Sequence, residues 1–395
     1  MKKTIALLLA VLMVLGMAAC GSKQTAASDA FKLGGVGPLT GGAAIYGNAA
    51  KNGAAIAVDE INALNGDIKF ELNYQDDAHD AEKSVNAYNT LKDWGMQIFL
   101  GSVTSAPGVA TSVEAQGDNM FYLTPSASST DVLGGVANPL TGTVDIARKA
   151  NVFQLCFMDP NQGSASAQYI SDKALGSSIA VIYKNDDVYS VGIYNSFAAK
   201  AKELGLSIVS TTTFTSDSQT DFSVQIADAQ AAGADLVFLP MYYDAASLIL
   251  TQANAIGYAP TFFGVDGMDG ILTVEGFDTS LAEGVILLTP FNADSADAAT
   301  KSFVAKYQEK HNEIPNQFAA DAYDCVYAIY EALKATGAKT SMTASELGTL
   351  LTNKFVGDFT FSGLTGEGMT WDETGAVSKS PKGMVIENGV YVGLD

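Results

Sequence analysis

Two hydroxyl-rich turns and three segments bearing acidic residues, two of them with tyrosines, hold most of the chemistry this sequence can do. The first turn is Gly101-Ser102-Val103-Thr104-Ser105-Ala106-Pro107, and the second runs Thr124-Pro125-Ser126-Ala127-Ser128-Ser129-Thr130-Asp131. Hydroxyls ahead of a proline describe a capped helix N-terminus, whose free N–H groups and positive dipole end suit a carboxylate. The acidic and aromatic residues come as Asp187-Val188-Tyr189, Tyr242-Tyr243-Asp244 and Gly264-Val265-Asp266-Gly267. Aromatic rings wall an apolar or cationic group, and a partly desolvated aspartate pairs with an ammonium. The two sets together complement a zwitterion. Either turn alone is more often a structural cap than a ligand site, so it is their occurrence on neighbouring strand ends that points to binding. Tyr46, just ahead of a helix, either reaches the same cleft or packs as a core aromatic.

Other chemistries find little support. Gly35-Val36-Gly37-Pro38-Leu39-Thr40 departs from the dinucleotide pattern G-x-G-x-x-G, because Pro38 interrupts the turn and no acidic ribose partner follows at the required distance. No cofactor is expected. No Cys-x-x-Cys or Cys/His spacing suggests a metal. Cys156 and Cys325 lie in apolar surroundings (FQLCFM and YDCVYAIY), as buried free thiols do, although a pair in an exported protein can also form a disulfide. His79, beside Asp76-Asp77, reads as a solvated turn residue, and His311 falls late in a helix. Neither adjoins a nucleophile motif, so an enzyme is not expected. Lys and Arg number 22 against 43 Asp and Glu, a formal net charge of −21. Such a surface repels nucleic acid. Arg148 is the single arginine, which leaves phosphates and dicarboxylates without a bidentate guanidinium clamp.

These residues need elements to position them. Strand-like runs at Phe31–Val36, Ile68–Tyr74, Met96–Leu100 and Asn119–Leu123 alternate with helical stretches. The alternation resumes with strands at Ile179–Tyr183, Leu206–Thr213, Leu236–Leu239 and Thr261–Phe263. Strands alternating with helices imply right-handed βαβ units and parallel sheets, with ligands beyond the carboxyl ends of the strands. The reading is an α/β protein of two doubly wound parallel-sheet lobes with a seam near residue 150. Two long helices, about Ala296–Lys310 and Gln317–Thr336, have no sheet of their own and are expected back on the first lobe. Asn388-Gly389 between apolar segments signals a hairpin, expected to complete the second. Three hinge strands then join the lobes. The boundaries are 30–151 with 289–358 for lobe 1, and 152–288 with 359–395 for lobe 2.

The N-terminus carries Lys2 and Lys3, an apolar run from Ile5 to Leu15, and Met17-Ala18-Ala19-Cys20-Gly21. This describes a secretory signal over 1–19, too short to span a membrane comfortably. It resembles the lipobox of bacterial lipoproteins, with Met17 where Leu is usual. The resemblance implies lipidation of Cys20 and a polar tether over 20–29.

Across the whole mature chain the sequence resembles the branched-chain amino-acid-binding (Leu/Ile/Val-type) family of ABC-transporter substrate-binding proteins, with the type I periplasmic-binding fold. The segments that carry it are GPLTGGAAIYG (37–47), FLGSVTS (99–105), YLTPSASST (122–130), FQLCFMDPNQG (153–163) and Gly264-Val265-Asp266-Gly267. The resemblance implies that Thr104, Ser105, Ser126, Ala127 and Ser128 hold an α-carboxylate and help hold its amino group. It implies that Tyr189 and Tyr242 close over the ligand, that Asp266 pairs with the ammonium, and that Tyr46 and Phe318 line the side-chain pocket. Asp266 is shorter than the Glu common in the family, and Ser190 stands where Gly often follows the tyrosine. The implied protein is a monomer anchored to the membrane outside the cytoplasm, delivering an amino acid to ABC permease subunits. The chain stops at Asp395 soon after its last strand, which favours a free-standing binding protein over a sensory module. An aromatic acid, an amide or a short peptide stays open as the ligand.

Overall fold

Short runs of fully buried apolar residues alternate with helices that are apolar on one side, and that alternation builds parallel sheets. A computed structural model describes residues 29–394. The expected signal segment and Cys20 lie outside them. In the first lobe β1 (Phe31–Gly37), α1 (Ala44–Ala63), β2 (Phe70–Asp76), α2 (Ala81–Trp94), β3 (Ile98–Phe99), α3 (Ser105–Asp118), β4 (Tyr122–Thr124), α4 (Thr130–Leu133) and β5 (Val152–Gln154) follow one another. The five strands pair in the order β2-β1-β3-β4-β5, all parallel.

The second lobe contains α5 (Asp159–Asp172), β6 (Ile179–Lys184), α6 (Val188–Leu204), β7 (Ile208–Phe214), α7 (Ser223–Ala231), β8 (Leu236–Leu239), α8 (Tyr243–Ala255), β9 (Thr261–Gly264) and β10 (Ile286–Thr289). The chain then forms α9 (Ala298–His311), α10 (Gln317–Thr336) and α11 (Ala344–Phe355), and ends in the hairpin β11 (Lys382–Glu387) and β12 (Val390–Gly393). The second sheet runs β12-β11-β10-β9-β8-β6-β7, with only the hairpin antiparallel. This is the two-lobed α/β architecture expected, and the hairpin joins the second sheet. α10 returns to pack on α1 in the first lobe. The two helices touch at their backbones, since a Cβ at Gly53 would sit 1.9 Å from the Ala319 carbonyl oxygen.

Two segments lie differently from the expected boundaries. Val152–Gln154, placed after the seam by the sequence, pairs with β4 in the first sheet. The stretch after 358 also stays with the first lobe for about its first half. Phe359 and Trp371 pack with Phe355 of α11, at ring separations of 4.8 and 4.6 Å. Trp371 donates its indole N–H to the Gln154 carbonyl at 2.8 Å. The cause is an aromatic cluster, completed by Phe121 and Phe153 against Phe355, which closes one end of the first core. The chain crosses between lobes after β5, after β10 and before β11.

Candidate functional site

Thr104 is the N-cap of α3 in an extended conformation, and its side chain caps no N–H of the helix. Thr104 therefore leaves the first N–H groups of the helix without a cap from its own side chain. The second turn is held in shape by its own hydroxyls. Thr124 Oγ1 accepts from the N–H groups of Ser126 and Ala127 at 3.2 and 2.9 Å and donates to the Ser102 carbonyl at 2.7 Å. The two turns are tied together where the Ser129 N–H donates to Ser105 Oγ at 3.2 Å.

From the opposite lobe Tyr189, at the start of α6, donates its hydroxyl to Asp266 Oδ1 at 2.5 Å and accepts from the Gly267 N–H at 2.9 Å. Tyr242 lies flat on Tyr189, with ring centroids 4.6 Å apart and planes within 3°. Its own hydroxyl is buried without a hydrogen-bond partner. Asp266 follows β9, and its backbone is fixed by Gln162 Oε1, which accepts the Asp266 N–H at 3.3 Å, and by Gln317 Nε2, which donates to the Asp266 carbonyl at 3.0 Å. Burial pushes the Asp266 carboxyl up to about 7, against the lowering effect of the Tyr189 hydrogen bond.

Tyr46, Thr104, Ser105, Ser126, Ser128, Tyr189, Tyr242, Asp266 and Phe318 line one pocket between the lobes, together with Val103 and Gly267. Ala127 does not line it. Its methyl faces Gly108 of α3 and its carbonyl accepts from Gln154 Nε2 at 2.6 Å. About 10 Å³ is left among these side chains, the space of roughly one water. The lobes are thus closed, and anything of amino-acid size enters only when they part. Tyr46 bridges them, donating to the Gly267 carbonyl and accepting from the Tyr243 N–H at 3.1 Å, with its ring 4.6 Å from Phe318. A cavity of about 780 Å³ lies beside the crossing segments around Asp324, Thr365 and Lys379 and includes none of the candidate residues.

His79 is not the solvated turn residue expected. It is half-buried in a left-handed conformation at φ 61°, with Nδ1 2.9 Å from Thr104 Oγ1 and its ring edge-on to Tyr242 at 5.5 Å. Burial holds it down to about 4, so it is neutral at pH 7. Asp159, Gln162 and Gln317 escaped notice, although the first two fall inside the segment 153–163 that carried the resemblance. Cys156 and Cys325 are buried and unpaired. Arg148 serves the fold, donating to the Glu373 carbonyl at 3.1 Å. Among the described residues no group of His, Cys, Asp and Glu could hold a metal ion, and no helix is long and apolar enough to cross a membrane.

A family model described as periplasmic binding protein matches residues 30–380. The Leu/Ile/Val-binding protein BraC3 of Rhizobium johnstonii is 27% identical over 305 residues, 76% of this chain and 78% of that one. The branched-chain amino acid transporter substrate binding protein of Streptococcus pneumoniae, solved in complex with isoleucine, superposes with a TM-score of 0.79 at 25% identity, covering 92% of this chain and 99% of that one. A solute binding protein from R. palustris, solved in complex with benzoate, shares the fold at a TM-score of 0.77 and 18% identity, covering 92% and 95%.

Proposed function

The chain belongs to the periplasmic binding protein family, and from that premise we propose that it binds a free α-amino acid with an apolar, branched side chain in the inter-lobe pocket. In this reading the protein is a binding component rather than an enzyme, working outside the cytoplasm as a lipoprotein anchored through Cys20. It hands its ligand to the permease of an ABC importer.

The observation that carries the reading is a buried carboxyl, Asp266, sharing one pocket with the uncapped N-terminus of α3 and the hydroxyls of Ser105 and Ser128. The helix end and hydroxyls suit a carboxylate, and Asp266 suits an ammonium. Tyr46, Val103, Tyr242 and Phe318 leave the remaining wall apolar. A ligand that brings a carboxylate alone, such as benzoate, would face Asp266 with no cation to neutralise it.

Isothermal titration of ligand-free protein against the standard amino acids and against benzoate tests this directly. Leucine, isoleucine or valine should bind, and benzoate should not. Binding of benzoate with no response to any amino acid would sink the reading. For the anchor, intact protein should partition into the membrane fraction, and Cys20→Ser should release it.

A further inference from the structure

The turn between β2 and α2 holds a conformation that side chains resist. Ala78 and His79 follow one another in the left-handed region, at φ 47° and 61°, which is costly for residues other than glycine. Two carboxylates hold the turn. Asp76 Oδ1 accepts the Ala78 N–H at 2.9 Å, and Asp77 Oδ1 accepts the His79 N–H at 2.8 Å. The effect is to aim an imidazole at the start of α3, where His79 Nδ1 lies 2.9 Å from Thr104 Oγ1. Thr104 is the N-cap of that helix, a position from which a threonine hydroxyl ordinarily accepts an N–H of the first turn. Here it does not, and the hydroxyl is engaged by the ring instead. Thr104 lines the closed pocket between the lobes, whereas His79 lines a separate space of about 210 Å³ that it shares with Lys184, Asp187 and Asp244. The imidazole therefore stands behind Thr104 rather than in the pocket. Burial, aided by Lys184, keeps the ring neutral, so Nδ1 either carries the ring's proton or accepts one. If it accepts, the Thr104 proton turns onto the ring and only lone pairs of the hydroxyl face the pocket. If it carries the proton and donates, the Thr104 proton is free to point into the pocket.

We propose that His79 is a positioning residue that, with its proton on Nδ1, turns the Thr104 hydroxyl into a hydrogen-bond donor aimed at the ligand. Its tautomer, not its charge, sets what that side of the pocket takes. A donor there suits a group that brings lone pairs, as a carboxylate does, and an acceptor there would repel it. The strained turn is what holds the ring at the distance this requires. The proposal rests on the amino-acid reading above and names a residue outside the pocket that tunes it.

The test titrates L-leucine into wild type, His79→Gly, His79→Asn, Thr104→Val and the double variant of His79→Gly with Thr104→Val, and follows thermal unfolding of each ligand-free protein. Glycine suits the left-handed backbone and removes the ring, while asparagine tolerates the same backbone and can bring an N–H to the place of Nδ1. His79→Gly should weaken leucine binding by about fivefold or more, the worth of a single hydrogen bond. His79→Asn should recover most of that loss. The double variant should bind no more weakly than Thr104→Val alone, because the two residues act in series and their effects do not add. In wild type, ¹⁵N NMR of the two histidines, His79 and His311, should place the proton of His79 on Nδ1 in the leucine complex. That signature decides even where a variant fails to fold. Unchanged leucine affinity in folded His79→Gly, losses that multiply in the double variant, His79→Asn as weak as His79→Gly, or a His79 proton on Nε2 in the complex each overturns the proposal and leaves the amino-acid reading standing. Wild type that binds none of leucine, isoleucine and valine overturns both.

Discussion

Asp266 has two opposed preferences, and they set a pH dependence. In the free, closed protein burial holds its carboxyl up at about 7, against the ordinary value of 3.8. The native state therefore keeps a proton that the unfolded chain loses near 3.8, and this residue's contribution to stability falls as pH rises from about 4 to about 7. Pairing with an ammonium demands the ionised form. Below about 7 the proton must leave when ligand binds, so affinity falls with decreasing pH, by up to about tenfold per pH unit. His79 is held near 4 and stays neutral over this range, so it adds no competing titration above pH 6. Titration of leucine between pH 8 and pH 6 should show that weakening, and Asp266→Ala should bind at least about tenfold more weakly, roughly 1.4 kcal/mol, with a shallower slope. A wild-type affinity flat across the interval would remove Asp266 from the ammonium site.

At the scale of elements, the pocket's apolar wall is set by one close contact between helices. Tyr46 lies near the start of α1 and Phe318 near the start of α10, and their rings meet because the backbones touch at Gly53 and Ala319. A methyl at Gly53 would fall 1.9 Å from the Ala319 carbonyl oxygen, and backbone cannot yield as a side-chain tip can. Gly53→Ala should cost about 1–3 kcal/mol of stability by overpacking, read by urea denaturation, and should loosen leucine binding as the two rings separate. A variant as stable as wild type would mean that the helices slide freely at this point. Both helices were legible in the sequence, because their apolar residues recur at helical spacing over long stretches, and so were the strands whose apolar runs are bounded by turns. The turn residues Ser105 and Ser128 were legible for the same reason, since they follow recognisable strands. What was not legible depended on partners distant in sequence. Phe359 and Trp371 stay with the first lobe because Phe355, against which they pack, is itself seated on Phe121 and Phe153. Ala127 turns inward because Gly108 leaves room for its methyl. Asp159 carries no signal of its own in the sequence, and only its burial sets it apart.

For the molecule as a whole, binding is a matter of where the open–closed equilibrium lies. Several hydrogen bonds join the two lobes directly. Tyr46 contacts Gly267 and Tyr243, the Tyr243 hydroxyl donates to the Gly42 carbonyl at 2.6 Å, and Gln317 holds both Asp266 and Asp269. These bonds exist only while the lobes are together, so they add to the closed state whatever the ligand. Ligand contacts add further stabilisation to the same state, because only there do both lobes reach it at once. Removing a cross-lobe bond should therefore weaken ligand binding without touching the ligand's polar ends. Tyr46→Phe keeps the ring on Phe318 and removes a hydroxyl that makes two buried bonds, each contributing about 0.5–1.5 kcal/mol. The closed state should lose about 1–3 kcal/mol, and the leucine Kd should rise in proportion once the open state dominates in free protein. Small-angle X-ray scattering gives the independent readout. Ligand-free Tyr46→Phe should have a larger radius of gyration than ligand-free wild type, and saturating leucine should bring both to the same value. Equal ligand-free radii with a raised Kd would instead place the Tyr46 hydroxyl in direct contact with the ligand. Equal radii and equal Kd would mean that the cross-lobe bonds do not govern closure at all.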